Sequence, residues 1–475
     1  MNTALKTFAV IGLFFCLAIL AINPYFTPNY VDNIFYYHLG ISLYETGSYE
    51  ILNQKIVDWP PIFPFYLAGY FLLFGPSVIV GKIATLIAAL AALLLLPQLL
   101  DQDNRPYPLA TTFLFSLLPT SLIIGTMMMS DWLYMALSFL YLYLLNHLRT
   151  HKSIAMGVIA GMILGAACLT RYIGLSLGVA TVVFLFLNLK QNQWKFKTAL
   201  PEVICCAVSA CMLLGWVFAV YSWNSNPEIT VYQSNFASKG FAIFEHFDFL
   251  EVGDIILQLL FQWENVLEQL GAPEFLVYIL GAFGMIIIAW GAFKQLQTRR
   301  LSPTDVYTLV VLIMVTLYHY KYSRFLLCIA PFLISYTFSC FSIKRKSLKK
   351  ILFTIWCCWL LLFDGHLILL GNRSNFGGLS PLVSKSPLEF YKGEWHEIAT
   401  LAFKAKEFSL ANNSTTLSLD PKIQHRWIYF YGLSEVPVKR SGQSTLRIEH
   451  KRKESLNPPK NQILTETNNY YLIKN

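Results

Sequence analysis

The chain has 475 residues, 55% hydrophobic and only 13% charged, against about 25% charged in ordinary soluble domains. That balance excludes a soluble globular enzyme, and the net charge of +9 does not imply nucleic acid, because the basic residues divide by membrane side. All nine cysteines fall inside apolar segments without metal-ligand spacing, and read as packing residues.

Apolar runs long enough to cross a hydrocarbon core of ~30 Å recur along the first three quarters of the chain. They predict spans at about 5–22, 78–100, 107–125, 131–148, 153–170, 172–189, 201–223, 273–293, 305–318, 325–341 and 351–370. The first has only Lys6 as a positive flank and runs into Asn23-Pro24 without a small-residue cleavage site, so it reads as a retained span rather than a removed signal. Ile62 to Gly75 is apolar but short for a crossing, and prolines at 60, 61 and 64 open it. It reads as a helix lying at, or dipping into, the outer boundary.

With the N-terminus inside, the inner loops hold Arg105, Arg149, Lys152, Lys190, Lys195, Lys197, Lys294, Arg299, Arg300, Lys344, Arg345, Lys346, Lys349 and Lys350. The outer side keeps Lys55, Lys82, Arg171, Lys239, Lys321 and Arg324 before the tail. This asymmetry is the one that the positive-inside rule expects.

Three outer pieces follow: a loop of about 24–77, a loop of about 224–272 and the tail. In the second loop Ile255, Ile256, Leu259, Leu260, Trp263, Val266, Leu267 and Leu270 repeat at helical spacing, as an interfacial helix or a packed helix of a small outer subdomain. The tail predicts a helix over Trp395–Phe408, a strand over Thr415–Leu419 and a turn at Asp420-Pro421. Lys439 to Lys460, basic and polar, reads as loosely ordered. The fold class expected is an all-α polytopic membrane protein of about 11 transmembrane helices over 1–370, with a small extracytoplasmic α/β domain over 371–475.

The few outer charges carry the chemistry. Asp32, in Tyr30-Val31-Asp32-Asn33-Ile34-Phe35-Tyr36-Tyr37, reads as a helix N-cap, as a general base for an acceptor hydroxyl, or as both. Asp131 opens a span, where it competes with Ser130 for a cap. It is equally placed to orient Asp32, hold an acceptor or help bind a divalent ion. Asp58, beside Trp59-Pro60-Pro61, is a turn residue or a further site acid. Lys321 and Arg324 lie between two spans on the cation-poor side; they snorkel to lipid phosphates or neutralise a substrate phosphate. Arg171, in a short break between apolar runs, is a headgroup anchor or a site residue. One or two carboxylates with one to three cations make a poor hydrolase signature, since glycoside hydrolysis usually needs an acid as well as a base or nucleophile. The set suits transfer from a lipid-phosphate sugar, whose anionic leaving group needs cations and no acid.

Five motifs in order sharpen this: Asp32 with Tyr36-Tyr37 and Gly47-Ser48-Tyr49; Trp59-Pro60-Pro61-Ile62-Phe63-Pro64 with Leu73-Phe74-Gly75; Ser130-Asp131; Gly161 to Arg171; and Arg324-Phe325 ahead of Pro331. Over roughly 1–345 the chain resembles the protein O-mannosyltransferase and aminoarabinose transferase superfamily, glycosyltransferases of the GT-C type and family 39-like. The resemblance implies a polyprenyl-phosphate-linked sugar donor and an inverting transfer on the extracytoplasmic face to a lipid, glycan or protein acceptor. It further implies Asp32 as base and Arg324 on donor phosphate. Beside these, Tyr36, Tyr37, Asp58, Lys321 and Arg171 stand as substrate-binding candidates. Asp32 is followed by Asn33 where many members carry a second acid, and Arg324-Phe325 replaces the usual Arg-Tyr. The short tail points to a bacterial or archaeal-type member in a plasma membrane. No cofactor is certain, and a divalent metal stays open. Rival readings are a transporter or lipid flippase, for which no internal repeat is seen, and a polysaccharide polymerase or ligase using a lipid-linked oligosaccharide.

Overall fold

The structure is a computed structural model that describes residues 3–22, 26, 31–51, 54–55, 59–191, 199–223, 249–261, 273–298, 301–317, 323–340, 346–370, 394–411, 416–419, 438–439, 446–450, 463–466 and 470–474. It divides into two compact units. The first comprises Met1–Ile19, Lys55–Tyr66 and Lys82–Asp364; the second comprises Leu20–Gln54, Leu67–Gly81 and Gly365–Asn475.

Apolar helices succeed one another along the first 370 residues: α1 (Thr3–Ala21), α2 (Val31–Thr46), α3 (Ile62–Phe74), α4 (Val78–Gln102), α5 (Pro108–Ser116), α6 (Pro119–Gly125), α7 (Asp131–Thr150), α8 (Ile154–Cys168), α9 (Leu175–Gln191) and α10 (Leu200–Trp223). They continue as α11 (Phe249–Phe261), α12 (Glu274–Thr298), α13 (Pro303–Leu317), α14 (Ser323–Leu326), α15 (Ala330–Cys340) and α16 (Lys346–Leu370). This is an all-α, multi-pass membrane fold. Among the described residues, α4 and α10 are each long and apolar enough to cross alone, and α5 with α6 makes a third crossing if taken as one bent span. At 13 residues α3 is shorter than the ~20 that a straight crossing takes.

Two expected spans are broken, both by proline. The stretch 107–125 becomes α5 and α6, bent by 63°. Pro119 has no N–H to give the Phe115 carbonyl and its ring crowds that oxygen. The Ser121 hydroxyl donates to it instead at 2.7 Å. In the stretch 325–341, Pro331 likewise cannot reach the Leu327 carbonyl, which accepts from Ala330 N at 3.2 Å, and α14 and α15 separate.

The seam between α8 and α10 is made by absent side chains. A Cβ on Gly157 would stand 2.5 Å from the Pro201 carbonyl oxygen, one on Gly161 would stand 2.6 Å from that of Cys205, and one on Gly165 would stand 2.6 Å from Met212 Sδ. Small residues at every fourth position let two apolar helices approach backbone to backbone.

A second joint in this unit is polar. Arg105, fully buried after α4, donates from Nη2 to Asp305 Oδ1 at 2.8 Å and to Thr304 Oγ1 at 2.7 Å. Its Nε lies 3.5 Å from Asp103 Oδ2, which also accepts from Thr304 and Ser302. Tyr336 donates to Asp305 Oδ1 at 2.7 Å and Asn146 to Asp103 Oδ1 at 2.8 Å. The guanidinium sits 5.0 and 4.9 Å from the Phe332 and Tyr336 rings. The sequence reading counted Arg105 only as an inner-loop charge. The knot ties α4, α7, α13 and α15 together.

In the second unit α2 stops at Gly47, whose φ of 69° suits a residue without Cβ. Gly40 admits α3: a Cβ there would meet Phe71 at 3.0 Å and Leu67 at 3.1 Å. Tyr37 packs edge-on against Phe26 and Phe71 at 5.3 and 5.6 Å, and burial pulls the His38 imidazole down to about 4. Two-residue strands β1 (Glu50–Ile51) and β2 (Gln54–Lys55) follow.

The tail carries α17 (Glu394–Ala411) and strands β3 (Leu417–Leu419), β4 (Val438–Lys439), β5 (Leu446–His450), β6 (Ile463–Glu466) and β7 (Tyr470–Lys474), in the sheet order β4-β3-β5-β7-β6. β3 runs parallel to β4 and β5; β7 runs antiparallel to β5 and β6. β5 corrects the reading of Lys439–Lys460 as loosely ordered: Leu446 and Ile448 alternate with Arg447 and Glu449, a strand period hidden by the charges. Within 224–272, α11 ends at Phe261, and residues 262–272 lie outside the described residues, as does the turn at 420–421. All nine cysteines are free thiols.

The glycine seam is testable. Gly161→Leu must part α8 from α10 and is expected to cost about 1–3 kcal/mol, read as a lower melting temperature in detergent. Gly178→Ala, with no heavy atom within 4 Å of its Cβ, is expected to leave melting unchanged within about 0.5 kcal/mol.

Candidate active site

The first unit gathers three of the predicted site residues around one hollow. Asp131 is the first residue of α7. Ser130, at the cap position, has helical dihedrals (φ −70°, ψ −8°) and makes no side-chain cap bond. Neither residue caps the helix, contrary to one reading of the sequence. The buried Asp131 carboxylate instead accepts from Arg171 Nη1 at 2.5 Å, and the same nitrogen lies 3.4 Å from Ser130 Oγ. A carboxylate in the first turn also suits the positive end of the helix dipole.

Arg171 is held by a second helix break. α8 ends at Cys168, Arg171 is extended (φ −150°, ψ 136°), and a 3-10 turn over Tyr172–Gly174 leads into α9. The Leu169 carbonyl accepts from Ile62 N at 3.1 Å, so the break is closed by the start of α3. The sequence left Arg171 between headgroup anchor and site residue; its partner is Asp131.

Arg324 lies in α14, ahead of the break at 327–329. Its guanidinium carbon is 5.3 Å from the centre of the Phe325 ring, and that of Arg171 is 5.6 Å from the same ring. Asp131, Arg171, Arg324 and Phe325, with Tyr134, Met135, Ile173, Leu327 and Cys328, line one small, partly open hollow. The Tyr134 and Tyr307 hydroxyls are hydrogen-bonded at 2.9 Å beside it. Two guanidiniums and one carboxylate give its lining a formal charge of +1, which favours an anion.

Asp32 belongs to the second unit. It is the second residue of α2, inside the first turn rather than at the cap, and half-buried. Tyr36, one turn on, is buried and Tyr37 half-buried. Asp58 and Lys321 lie outside the described residues. Among the described residues no group of three or more His, Cys, Asp or Glu gathers as a metal site, and Asp131 gives an oxygen to a guanidinium. The sequence reading missed Tyr134 and Cys328 as lining residues. The only trace of the ring at 325 was its place after Arg324.

No family model matches the chain, and neither does any curated protein. Solved structures do. ArnT from Cupriavidus metallidurans bound to undecaprenyl phosphate is similar at a TM-score of 0.60 and 14% identity, over 99% of this chain and 98% of that one. The apo state of the same protein gives 0.56 at 14% identity, over 92% and 85%. The archaeal oligosaccharyltransferase AglB from Archaeoglobus fulgidus, in complex with an inhibitory peptide and a dolichol-phosphate, gives 0.52 at 14% identity, over 91% of this chain and 64% of that one. The chain therefore shares its fold with these proteins, and at this identity the fold is what the likeness shows.

The Arg171–Asp131 pair should be coupled energetically. Asp131→Asn and Arg171→Gln are each expected to cost about 1–3 kcal/mol, and the double variant about as much as the worse single. Thermal unfolding of the four proteins in detergent measures this; additive losses would mean that the contact contributes nothing.

Proposed function

We propose that the chain is a membrane glycosyltransferase. It moves a sugar from a polyprenyl-phosphate-linked donor to a lipid, glycan or protein acceptor on the extracytoplasmic face. The observation that carries this reading is the net-cationic hollow, set in a fold shared over nearly its whole length with a protein solved with undecaprenyl phosphate. The likeness to AglB, in complex with a dolichol-phosphate, supports the same class of donor.

In this reading Arg324, with Arg171 beside it, faces the donor phosphate. Asp32 takes the proton of the acceptor hydroxyl as that oxygen bonds to the anomeric carbon from the far side. The bond from that carbon to the phosphate oxygen breaks, its electron pair leaves with the phosphate, and the configuration inverts. The leaving group is an anion before and after, so fixed cations lower the barrier without a general acid. Asp131 supports the site by holding Arg171. Tyr36, Tyr37, Asp58 and Lys321 complete the substrate-binding set. In this reading the N-terminus faces the cytoplasm of a bacterial-type plasma membrane, residues 1–370 make about eleven crossings, and 371–475 form a small extracytoplasmic α/β domain. The sugar acceptor then belongs to the cell envelope.

The test is transfer by the purified protein in liposomes, given a radiolabelled undecaprenyl-phosphate sugar and an envelope-lipid acceptor fraction. Asp32→Asn is expected to lose transfer by at least about 100-fold while donor still binds. Arg324→Gln is expected to weaken donor binding by roughly 10- to 100-fold. Donor that moves between leaflets without any sugar reaching the acceptor would make the chain a flippase and remove this reading.

A further inference from the structure

We propose that Phe325 is a positioning residue: its ring fixes the Arg171 and Arg324 guanidiniums at the rim of one hollow, preset for a single anionic group. The inference rests on the phosphate-linked donor of the proposed function and names what organises its cations.

Two guanidiniums that line one small space repel each other, and water or lipid phosphate would draw them apart. Their carbons lie 5.6 and 5.3 Å from the same ring centre, so the two charges are no farther apart than the sum of those distances. Both distances fall within the ~6 Å over which the negative face of an aromatic ring attracts a cation. Asp131 engages Arg171 from the other side at 2.5 Å. For Arg171, then, ring and carboxylate together hold the guanidinium. Arg324 is the adjacent residue to Phe325, and the same ring stands against both guanidiniums. Phe325 itself is kept in place by chain geometry: it sits inside α14, and its carbonyl accepts from Cys328 Sγ across the break that Pro331 enforces. A ring with no hydroxyl cannot donate to the anion, so its contribution is to aim the charges that do. Preset donors spare the ordering cost that flexible arginines would meet on binding.

The experiment measures binding of undecaprenyl phosphate to the purified full-length chain in nanodiscs, for wild type, Phe325→Leu, Phe325→Tyr and a series with mono-, di- and trifluorophenylalanine at 325. Fluorination drains the ring face of negative potential at nearly constant size, so it leaves a packing role untouched. Phe325→Leu is expected to bind about tenfold more weakly, the combined worth of two cation–π contacts, and Phe325→Tyr within about twofold of wild type. Affinity is expected to fall stepwise with each fluorine while the melting temperature holds. If Phe325→Leu does not fold, the fluorine series alone decides. A wild type that binds and a series that stays flat would overturn the role of Phe325. A wild type that does not bind the lipid phosphate would instead remove the function on which it rests.

Discussion

The contact between Arg171 and Asp131 is the constraint on which the hollow of the first unit depends. Both residues stand at helix starts in an apolar block, where an unpaired charge is costly and an unpaired backbone group nearly as much. Bringing them to 2.5 Å satisfies one guanidinium nitrogen and one carboxylate oxygen at once. The breaks themselves come from residues that cannot continue a helix. Pro119 ends α5 and turns the chain by 63° toward the start of α7, while Pro331 separates α14 from α15 and leaves Leu327 and Cys328 facing the hollow. A bundle of uninterrupted spans would offer no such space, because straight apolar helices close on one another.

The two polar centres of this unit differ in stoichiometry, and that difference separates scaffold from site. At Arg105 two carboxylates, Asp103 and Asp305, meet one guanidinium, and hydroxyls from Thr304, Ser302 and Tyr336 complete the network. Nothing there favours a further anion. Around the hollow the ratio is reversed, with Arg171 and Arg324 against Asp131. Burying an ion pair seldom adds much net stability, since desolvation offsets most of the attraction. What the first arrangement contributes is a fixed register among four helices. What the second leaves is one net positive charge on the lining of a hollow.

Hydrophobic length made most of this legible. The spans expected at 78–100 and 201–223 are helices over Val78–Gln102 and Leu200–Trp223, because an apolar run of that length has no other way to satisfy its backbone. The breaks were half-legible: Pro119 and Pro331 stood in the sequence, but each was read as sitting within a continuous crossing. The pairings were not legible at all. Arg171 meets Asp131 across 40 residues and Arg105 meets Asp305 across 200, distances over which no local pattern persists. Asp32 illustrates the middle case. Its helix was foreseen from an acid before an apolar segment, yet the helix opens at Val31, two residues before a cap at Asp32 would start it, which turns a cap into a first-turn side chain.

A fold shared with ArnT at 14% identity is what this division of labour leads one to expect. Long faces of the helices, such as Leu214, Val217, Phe218 and Tyr221 on α10 or Phe275, Ile279, Phe283 and Ile286 on α12, are largely exposed. In a bilayer such positions ask only for apolar character, so one side chain serves as well as another. Specific identities are needed where helices touch without side chains, as at Gly157 and Gly161, where they break, as at Pro119, and where charges meet, as at Asp131 and Arg171. Those positions are few, and they lie at the ends of elements rather than along them. Chemistry confined to helix ends leaves the crossing segments free to vary without disturbing the packing, which is why so little sequence identity suffices to hold the architecture.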